Sequence, residues 1–133
     1  MFLRQPAPGV VLLVEDDDGV ADVAKAMLER CVPRVLRAAN GAEAERLLAA
    51  HRDEIVLAMV DCWLPDIMGP ALCQRFRGVM PALPILLTSG CDNVDARQLA
   101  MGGRAAFLPK PFYPAQVMRE VTALLGPDQR HAA

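Results

Sequence analysis

The sequence predicts a single α/β domain built on a doubly wound, five-stranded parallel sheet. Five short apolar runs alternate with five amphipathic segments along 133 residues. This alternation is typical of parallel strands joined by helices that cover both faces of a sheet. Several of the apolar runs are continuous, as in strands that are buried on both faces. The length suits one domain.

The first two strand–helix pairs follow from the apolar spacing. Residues 10–14 predict the first strand, and residues 35–39 predict the second, where the charge of Arg37 suits a sheet edge. Asn40 is the predicted N-cap of the second helix. The apolar faces of the two helices contain Val20, Val23, Ala24, Met27, Leu28 and Cys31 in the first, and Ala44, Leu47 and Leu48 in the second.

Three further strands are predicted at residues 55–60, 83–88 and 105–108. The third helix presents Leu72, Cys73, Phe76, Val79 and Met80 at helical spacing. A short fourth helix around Val94 and Leu99 stops at Gly102-Gly103. The fifth begins at Pro114 and presents Val117, Val121, Leu124 and Leu125. We therefore expect an N-terminal extension at 1–9, the domain at 10–125 and a C-terminal tail at 126–133.

The composition argues against several classes of protein. With 53% hydrophobic and 23% charged residues, the chain is typical of soluble globular proteins. No apolar stretch approaches the roughly 20 residues of a membrane span, and the first nine residues lack the apolar core of a signal peptide. A net charge of −2 without a Lys/Arg cluster argues against a nucleic-acid surface. The four cysteines show no metal-ligand spacing, which predicts reduced thiols and a cytoplasmic location.

Polar residues collect where the predicted strands end. Four acids, residues 15–18, follow the first strand; Asp61, Thr88 and Lys110 follow the third, fourth and fifth. Each has a common structural explanation by itself, and we expect Asp17 or Asp18 to cap the first helix. Ligands of open α/β sheets bind at the carboxyl ends of the strands, however. Converging carboxylates suit Mg²⁺, and a hydroxyl with an ammonium suits phosphate oxygens.

Four motifs resemble those of the response-regulator receiver domain of two-component signalling, the family typified by the chemotaxis regulator CheY. In order they are LLVEDD (12–17), VDCWLPDIMG (60–69), ILLTSG (85–90) and FLPKPF (107–112). The resemblance spans about residues 10 to 125. It implies the flavodoxin-like, CheY-like (βα)5 fold with strand order 2-1-3-4-5. It also implies a phosphoprotein that is a signalling domain rather than an enzyme.

The resemblance implies a role for each matching residue. Asp61 corresponds to the phosphoacceptor, Lys110 to the family's lysine, and Thr88 to the hydroxyl that bonds the phosphoryl group. The implied Mg²⁺ ligands are Glu15, Asp16, Asp61 and the backbone carbonyl of Trp63.

Two further residues are implied to act in switching and positioning. Phe107 with Thr88 corresponds to the conformational switch, and Pro111 suggests a cis peptide bond after Lys110. The chain departs from the usual pattern at Met68, where a small polar residue is common. It departs again at Tyr113, where a capping Ser or Asp is common.

The implied mechanism is attack by Asp61 on a phosphohistidine of a sensor histidine kinase or a histidine phosphotransfer protein. The output surface would combine the fourth helix, the fifth strand and the fifth helix, near residues 95–103 and 114–123. Because only a short segment follows the fifth helix, we expect a separate downstream effector protein, without direct contact to nucleic acid or membrane. A free-standing regulator and the receiver of a hybrid kinase both fit the sequence.

Two other functions are compatible with parts of the pattern. One is an interaction module that works without phosphorylation, against which the complete set of acids argues. The other is a Mg²⁺-dependent phosphohydrolase with an aspartyl nucleophile. Such enzymes commonly carry a second Asp two residues after the nucleophile, and here that position is Trp63.

Overall fold

The structure is a computed structural model that describes residues 9–90 and 104–130, with the backbone alone for 127–130. The strands are β1 (Val10–Val14), β2 (Arg34–Ala38), β3 (Ile55–Asp61), β4 (Ile85–Ser89) and β5 (Ala105–Pro109). The helices are α1 (Asp18–Leu28), α2 (Gly41–Ala50), α3 (Gly69–Val79) and α4 (Pro114–Arg130). Thus α4 corresponds to the fifth predicted helix. The fourth predicted helix (Val94, Leu99), its stop at Gly102-Gly103, and Cys91 lie outside the described residues.

The five strands form one parallel sheet in the order β2-β1-β3-β4-β5, which confirms the predicted topology. All residues of β1 are buried, as expected of a central strand with helices on both faces. Arg37 lies on the edge strand β2, as its charge indicated. The strand order reverses between β1 and β3, so a crevice opens at their carboxyl ends.

Two apolar layers flank the sheet, one on each face. On one face Leu72 and Phe76 of α3 pack with α2 and with Leu12 of β1. On the other, Leu28 of α1 and Val117 of α4 are part of a second buried cluster. Among the helices within residues 9–90 and 104–130, none combines the length and hydropathy needed to cross a membrane.

Two valines that were assigned to apolar helix faces are exposed. Val23 of α1 is 54% exposed and Val79 of α3 is 43% exposed, so both assignments were wrong. In α1 the buried side includes Ala21 and Ala24, whose small side chains allow a close approach to the sheet. Val23 therefore lies at the margin of the buried side. Val79 is the last residue of α3.

The predicted caps of the first two helices are confirmed. The Asp17 carboxylate accepts a hydrogen bond from the Val20 N–H at 2.9 Å, and the Asn40 side chain accepts from the Glu43 N–H at 2.8 Å. At the start of α4 the Tyr113 N–H donates to the Gln116 side-chain oxygen at 2.7 Å. That bond satisfies the Tyr113 N–H, whereas the side chain of a capping Ser or Asp would accept from an N–H in the first turn of the helix.

The last helix is interrupted near its end. Gly126 has φ +76°, in the left-handed region that favours glycine. Helical backbone resumes after it and continues to Arg130. The residues from 126 onward, which the sequence analysis treated as a tail, therefore include helical backbone, and the boundary of the domain at residue 125 stays a prediction.

Substituting two glycines of α3 should have opposite effects on stability. A Cβ at Gly69 would lie 2.5 Å from the Asp61 carbonyl oxygen and 2.7 Å from the Cys62 Cα. Gly69→Ala should therefore lower the free energy of unfolding by about 1–3 kcal/mol. At the exposed Gly78, no described atom lies within 4 Å of an added Cβ. Gly78→Ala should raise stability, by up to about 1 kcal/mol.

Urea unfolding of both variants beside the wild type measures this difference. Equal effects of the two substitutions would contradict the close approach of α3 to the end of β3.

Candidate functional site

The acids at the ends of β1 and β3 come together because these strands are neighbours in the sheet. Val14 pairs with Val60, so Glu15 and Asp61 follow directly on adjacent strands. Carboxylate oxygens of Glu15, Asp16 and Asp61 all lie within 4.8 Å of one another. Glu15 and Asp61 are buried, and Asp16 is exposed.

This donor set fits a metal ion. Hard carboxylate oxygens suit a hard cation such as Mg²⁺, which keeps several waters and takes only one or two carboxylates from the protein. An exposed acid beside two buried ones leaves one side of the cluster open to those waters. The acidic pocket of Glu15, Asp16 and Asp61 therefore has the composition and spacing to bind a metal.

Lys110 places an ammonium group between the two buried carboxylates. Its Nζ lies 2.8 Å from Glu15 Oε1 and 3.5 Å from Asp61 Oδ1. The Lys110 N–H donates to the Ser89 carbonyl at 2.8 Å, which holds this residue against the end of β4. The peptide bond between Lys110 and Pro111 is cis, as predicted. The site thus joins the ends of β1, β3 and β5.

The charges in the site shift one another's pKa values. Burial raises the pKa of Glu15 and of Asp61, and the attraction of Lys110 only partly offsets it. Partial burial acts to lower the pKa of Lys110. Its hydrogen bond to Glu15 and the charge of Asp61 outweigh that effect, so this pKa is raised. Two buried carboxylates thus share a single ammonium, and their remaining negative charge favours a cation.

Thr88 and Phe107 lie at the positions that strand register gives them. Thr88 is the register partner of Asp61 on the neighbouring strand and is buried. Phe107 is the register partner of Leu87 and packs, partly buried, against the apolar layer of α2 and α3. The hydroxyl residue therefore stands beside the acid, and the aromatic ring stands one strand farther along the sheet. Their switching roles stay predictions.

Trp63 connects the ends of β3 and β4. Its backbone N–H bonds to the Asp61 carboxylate, which acts to lower the pKa of that group. Its indole N–H donates to the Ser89 hydroxyl at 3.2 Å, although half of the side chain stays exposed. Trp63 also pairs by a β-bridge with Met68, the residue at which the chain departs from the usual pattern. The indole is thus held at the rim of the crevice.

The sequence analysis missed two residues that support this site. Arg37 was noted only as an edge charge, yet its guanidinium donates to the Glu15 carbonyl at 2.9 Å from Nε and 2.7 Å from Nη2. Asp66 was not singled out, and it accepts from the backbone N–H groups of Gly41 and Ala42 at 2.8 and 3.0 Å. Both residues bond backbone groups more than 20 positions away in sequence, which no local pattern indicates.

Replacing Asp61 by Asn should stabilise the protein in a metal chelator. Burial disfavours the charged carboxylate in the folded state, and Lys110 keeps its partner Glu15 after the substitution. We expect a gain at pH 7 on the order of 1 kcal/mol, or about 3–5 °C in Tm.

The gain should depend on pH in a defined direction. Because the pKa of Asp61 is raised in the folded state, its charged carboxylate destabilises the fold at every pH above that raised pKa. This destabilisation disappears as the pH falls from the raised pKa toward the ordinary value of 3.8, since the carboxylate then takes up a proton. The difference between Asp61→Asn and the wild type should therefore shrink on acidification. Thermal unfolding across this range measures it, with the exposed Asp53→Asn as control. A gain that is constant with pH would contradict the electrostatic cause.

Comparison with known proteins agrees with this geometry. The family model for the response regulator receiver domain matches residues 11–122. The chain is 32% identical over 116 residues to the sensor kinase CckA of Brucella abortus, covering 86% of this chain and 12% of that protein. It is 31% identical over 126 residues to the response regulator MprA of Mycobacterium sp. strain KMS, covering 92% of this chain and 54% of that protein.

Solved structures give the same result. The receiver domain of the hybrid histidine kinase CckA aligns with a TM-score of 0.75 at 32% identity, covering 89% of this chain and 100% of that one. Among the two curated relatives named above, the chain spans about half of the length of MprA and about an eighth of the length of the sensor kinase CckA. From its sequence motifs, its sheet order and the match over residues 11–122, the chain belongs to the response regulator receiver domain family.

Proposed function

We propose that this domain accepts a phosphoryl group on Asp61 in a reaction that requires Mg²⁺. The observation that carries the proposal is the position of Asp61, buried at the end of β3 within one cluster with Glu15 and Asp16. Lys110 stands 3.5 Å from its carboxylate, and Thr88 is its register partner on β4. The residues that would hold Mg²⁺ are Glu15, Asp16, Asp61 and the backbone carbonyl of Trp63.

The phosphoryl transfer uses the carboxylate of Asp61 as the nucleophile. One Asp61 oxygen attacks the phosphorus of a phosphohistidine in line with the leaving imidazole nitrogen. The N–P bond breaks as the O–P bond forms, and the histidine nitrogen leaves with its electron pair. When bound, Mg²⁺ neutralises charge on the phosphoryl oxygens. Lys110 offsets part of the same charge, and the Thr88 hydroxyl donates a hydrogen bond to the new acyl phosphate.

The phosphodonor in this proposal is a sensor histidine kinase or a histidine phosphotransfer protein. The names of the relatives, a sensor kinase and a response regulator, support that choice. The acyl phosphate carries about −1.5 to −2 charges in place of the single charge of the Asp61 carboxylate, and its new oxygens draw in Thr88 and let Phe107 follow. The changed surface near residues 114–123 then controls a downstream effector protein, and residues 95–103, the rest of the expected output surface, lie outside the described residues.

A phosphohydrolase of similar architecture is less well supported. A carboxylic acid two residues after the nucleophile would serve as general acid in such an enzyme. Here the residue is Trp63, whose indole N–H donates to Ser89 and has no suitable proton to give.

Incubation with a small phosphodonor and Mg²⁺ should phosphorylate Asp61. Intact-mass spectrometry should show one added phosphoryl group that hydroxylamine removes, as expected of an acyl phosphate. Omission of Mg²⁺ and Asp61→Asn should each abolish the adduct. Asp53→Asn, an exposed acid elsewhere, should leave it unchanged. An adduct that persists in Asp61→Asn would show that the assignment is wrong.

The phosphoryl group should be long-lived, because the indole of Trp63 covers one side of the crevice. A hydrolytic water must approach phosphorus opposite the Asp61 oxygen. The indole is held by its bond to Ser89 and has no carboxylate or amide oxygen to orient that water. Trp63→Asn should therefore speed autodephosphorylation, by roughly tenfold.

Gly90, on the side of the crevice opposite Trp63, provides the matched variant. Gly90 is exposed, and no described atom lies within 4 Å of a Cβ added there. Gly90→Val should add bulk on this flank, where an added Cβ meets no described atom, and should slow the decay. Phosphoryl decay of both variants and the wild type is followed by intact mass. Decay of Trp63→Asn at the wild-type rate would overturn the shielding role.

A further inference from the structure

Residues 37–42, called the turn below, run from the end of β2 to the start of α2, and they contact the two loops that flank the acids of the site. One is the loop after β1, residues 15–17, and the other is the loop after β3, residues 62–68. The turn reaches the first loop from Arg37 and Ala38, and the second from Gly41 and Ala42. None of these turn residues belongs to the acid cluster itself.

The first loop is held by its backbone. The Glu15 N–H donates to the Ala38 carbonyl at 3.0 Å, and the Glu15 carbonyl accepts both bonds from the Arg37 guanidinium. The same guanidinium reaches Asp18 Oδ1 at 2.9 Å. Because both polar groups of the Glu15 backbone are bound to β2, the direction in which Glu15 and Asp16 leave the sheet is restricted.

The second loop is held by the side chain of Asp66. Both carboxylate oxygens of Asp66 accept backbone N–H groups at the start of α2, one from Gly41 and one from Ala42. These bonds hold the pKa of Asp66 below its usual value. A Cβ at Gly41 would clash with Ile67, so the loop packs closely against the helix start.

The turn itself is rigidly bonded. Asn40 caps α2 through the Glu43 N–H, and the Glu43 carboxylate returns a bond from the Ala39 N–H at 2.7 Å. A capping box would pair Glu43 with the N–H of Asn40 itself, and here Glu43 pairs with the residue before the cap, which likewise ties the incoming chain to the first turn of the helix. A turn of fixed geometry can therefore set the distance between two loops that are both bonded to it.

We propose that this turn is a common frame for the two loops and that Arg37 and Asp66 are positioning residues for the metal site. The inference rests on the proposed Mg²⁺ binding. Under this inference, Arg37 and Asp66 set the spacing between Asp16 on one loop and the Trp63 backbone on the other. Neither residue touches the metal or the phosphoryl group. Outer residues that orient metal ligands commonly change metal affinity by about 10- to 100-fold when removed.

The Arg37 arm of the test keeps the charge constant. Arg37→Lys retains the positive charge near the acids and removes the planar fork that holds the Glu15 carbonyl. We expect Mg²⁺ affinity, measured by calorimetry and by Trp63 fluorescence, to fall by about tenfold. Arg34→Lys is the matched control, since Arg34 lies on the same strand and its ion pair with Glu54 is exposed. Wild-type affinity in Arg37→Lys would overturn the role of Arg37.

The Asp66 arm uses a graded series. Asp66→Ala removes both acceptor oxygens, and Asp66→Asn keeps one. Mg²⁺ affinity should therefore fall in the order wild type, Asn variant, Ala variant, with about a tenfold loss for Ala. Asp53→Ala removes an exposed charge at the other end of the sheet and should leave affinity unchanged. An Ala variant no weaker than Asp53→Ala would overturn the role of Asp66.

Hydrogen exchange of the metal-free variants separates this inference from the proposed function. Arg37→Lys should speed exchange of the Glu15 amide and, through the turn, of the Gly41 and Ala42 amides, and Asp66→Ala should speed exchange of the same three amides. If the wild type binds no Mg²⁺, the proposed metal site is wrong. The role of the turn in positioning the two loops is then tested by hydrogen exchange alone. Faster exchange only at Glu15 in Arg37→Lys, and only at Gly41 and Ala42 in Asp66→Ala, would contradict a common frame. Faster exchange that also reaches the other loop would support it.

Discussion

The structure depends on the electrostatic balance around Lys110. Glu15 and Asp61 are buried at the ends of adjacent strands, and one ammonium stands between them at 2.8 and 3.5 Å. A buried carboxylate without a partner is costly, and here two buried carboxylates share one cation. Burial raises the pKa of both acids, and the single ammonium offsets that effect only in part. The site therefore carries an excess of negative charge that suits a metal ion.

The parallel sheet is what makes such a cluster possible. With the order β2-β1-β3-β4-β5, the chain returns to the same edge of the sheet after every strand. Glu15, Asp61, Thr88 and Lys110 each follow or end a different strand, and they meet although 95 positions separate Glu15 from Lys110. The apolar layers on both faces fix the strands, and the close approach of Gly69 to the Asp61 carbonyl fixes the end of β3.

Much of this was predictable, because the signals are local or periodic. Short apolar runs marked all five strands, and Asn40 and either Asp17 or Asp18 were identified as caps from residue type and position alone. The convergence of the site residues followed from the general rule for open α/β sheets. The periodic signal was wrong at Val23 and Val79, because an apolar residue at the margin or the end of a helix satisfies the spacing without meeting the sheet.

The sequence by itself determined the class of fold, the order of elements and the residues that gather at the crevice. These features depend on side-chain type and spacing, which can be read directly. Only the tertiary structure decided which groups hold the crevice in shape. Arg37 binds a carbonyl, and Asp66 binds two backbone N–H groups. Every residue has such backbone groups, so no sequence pattern distinguishes the ones that the folded chain brings within reach.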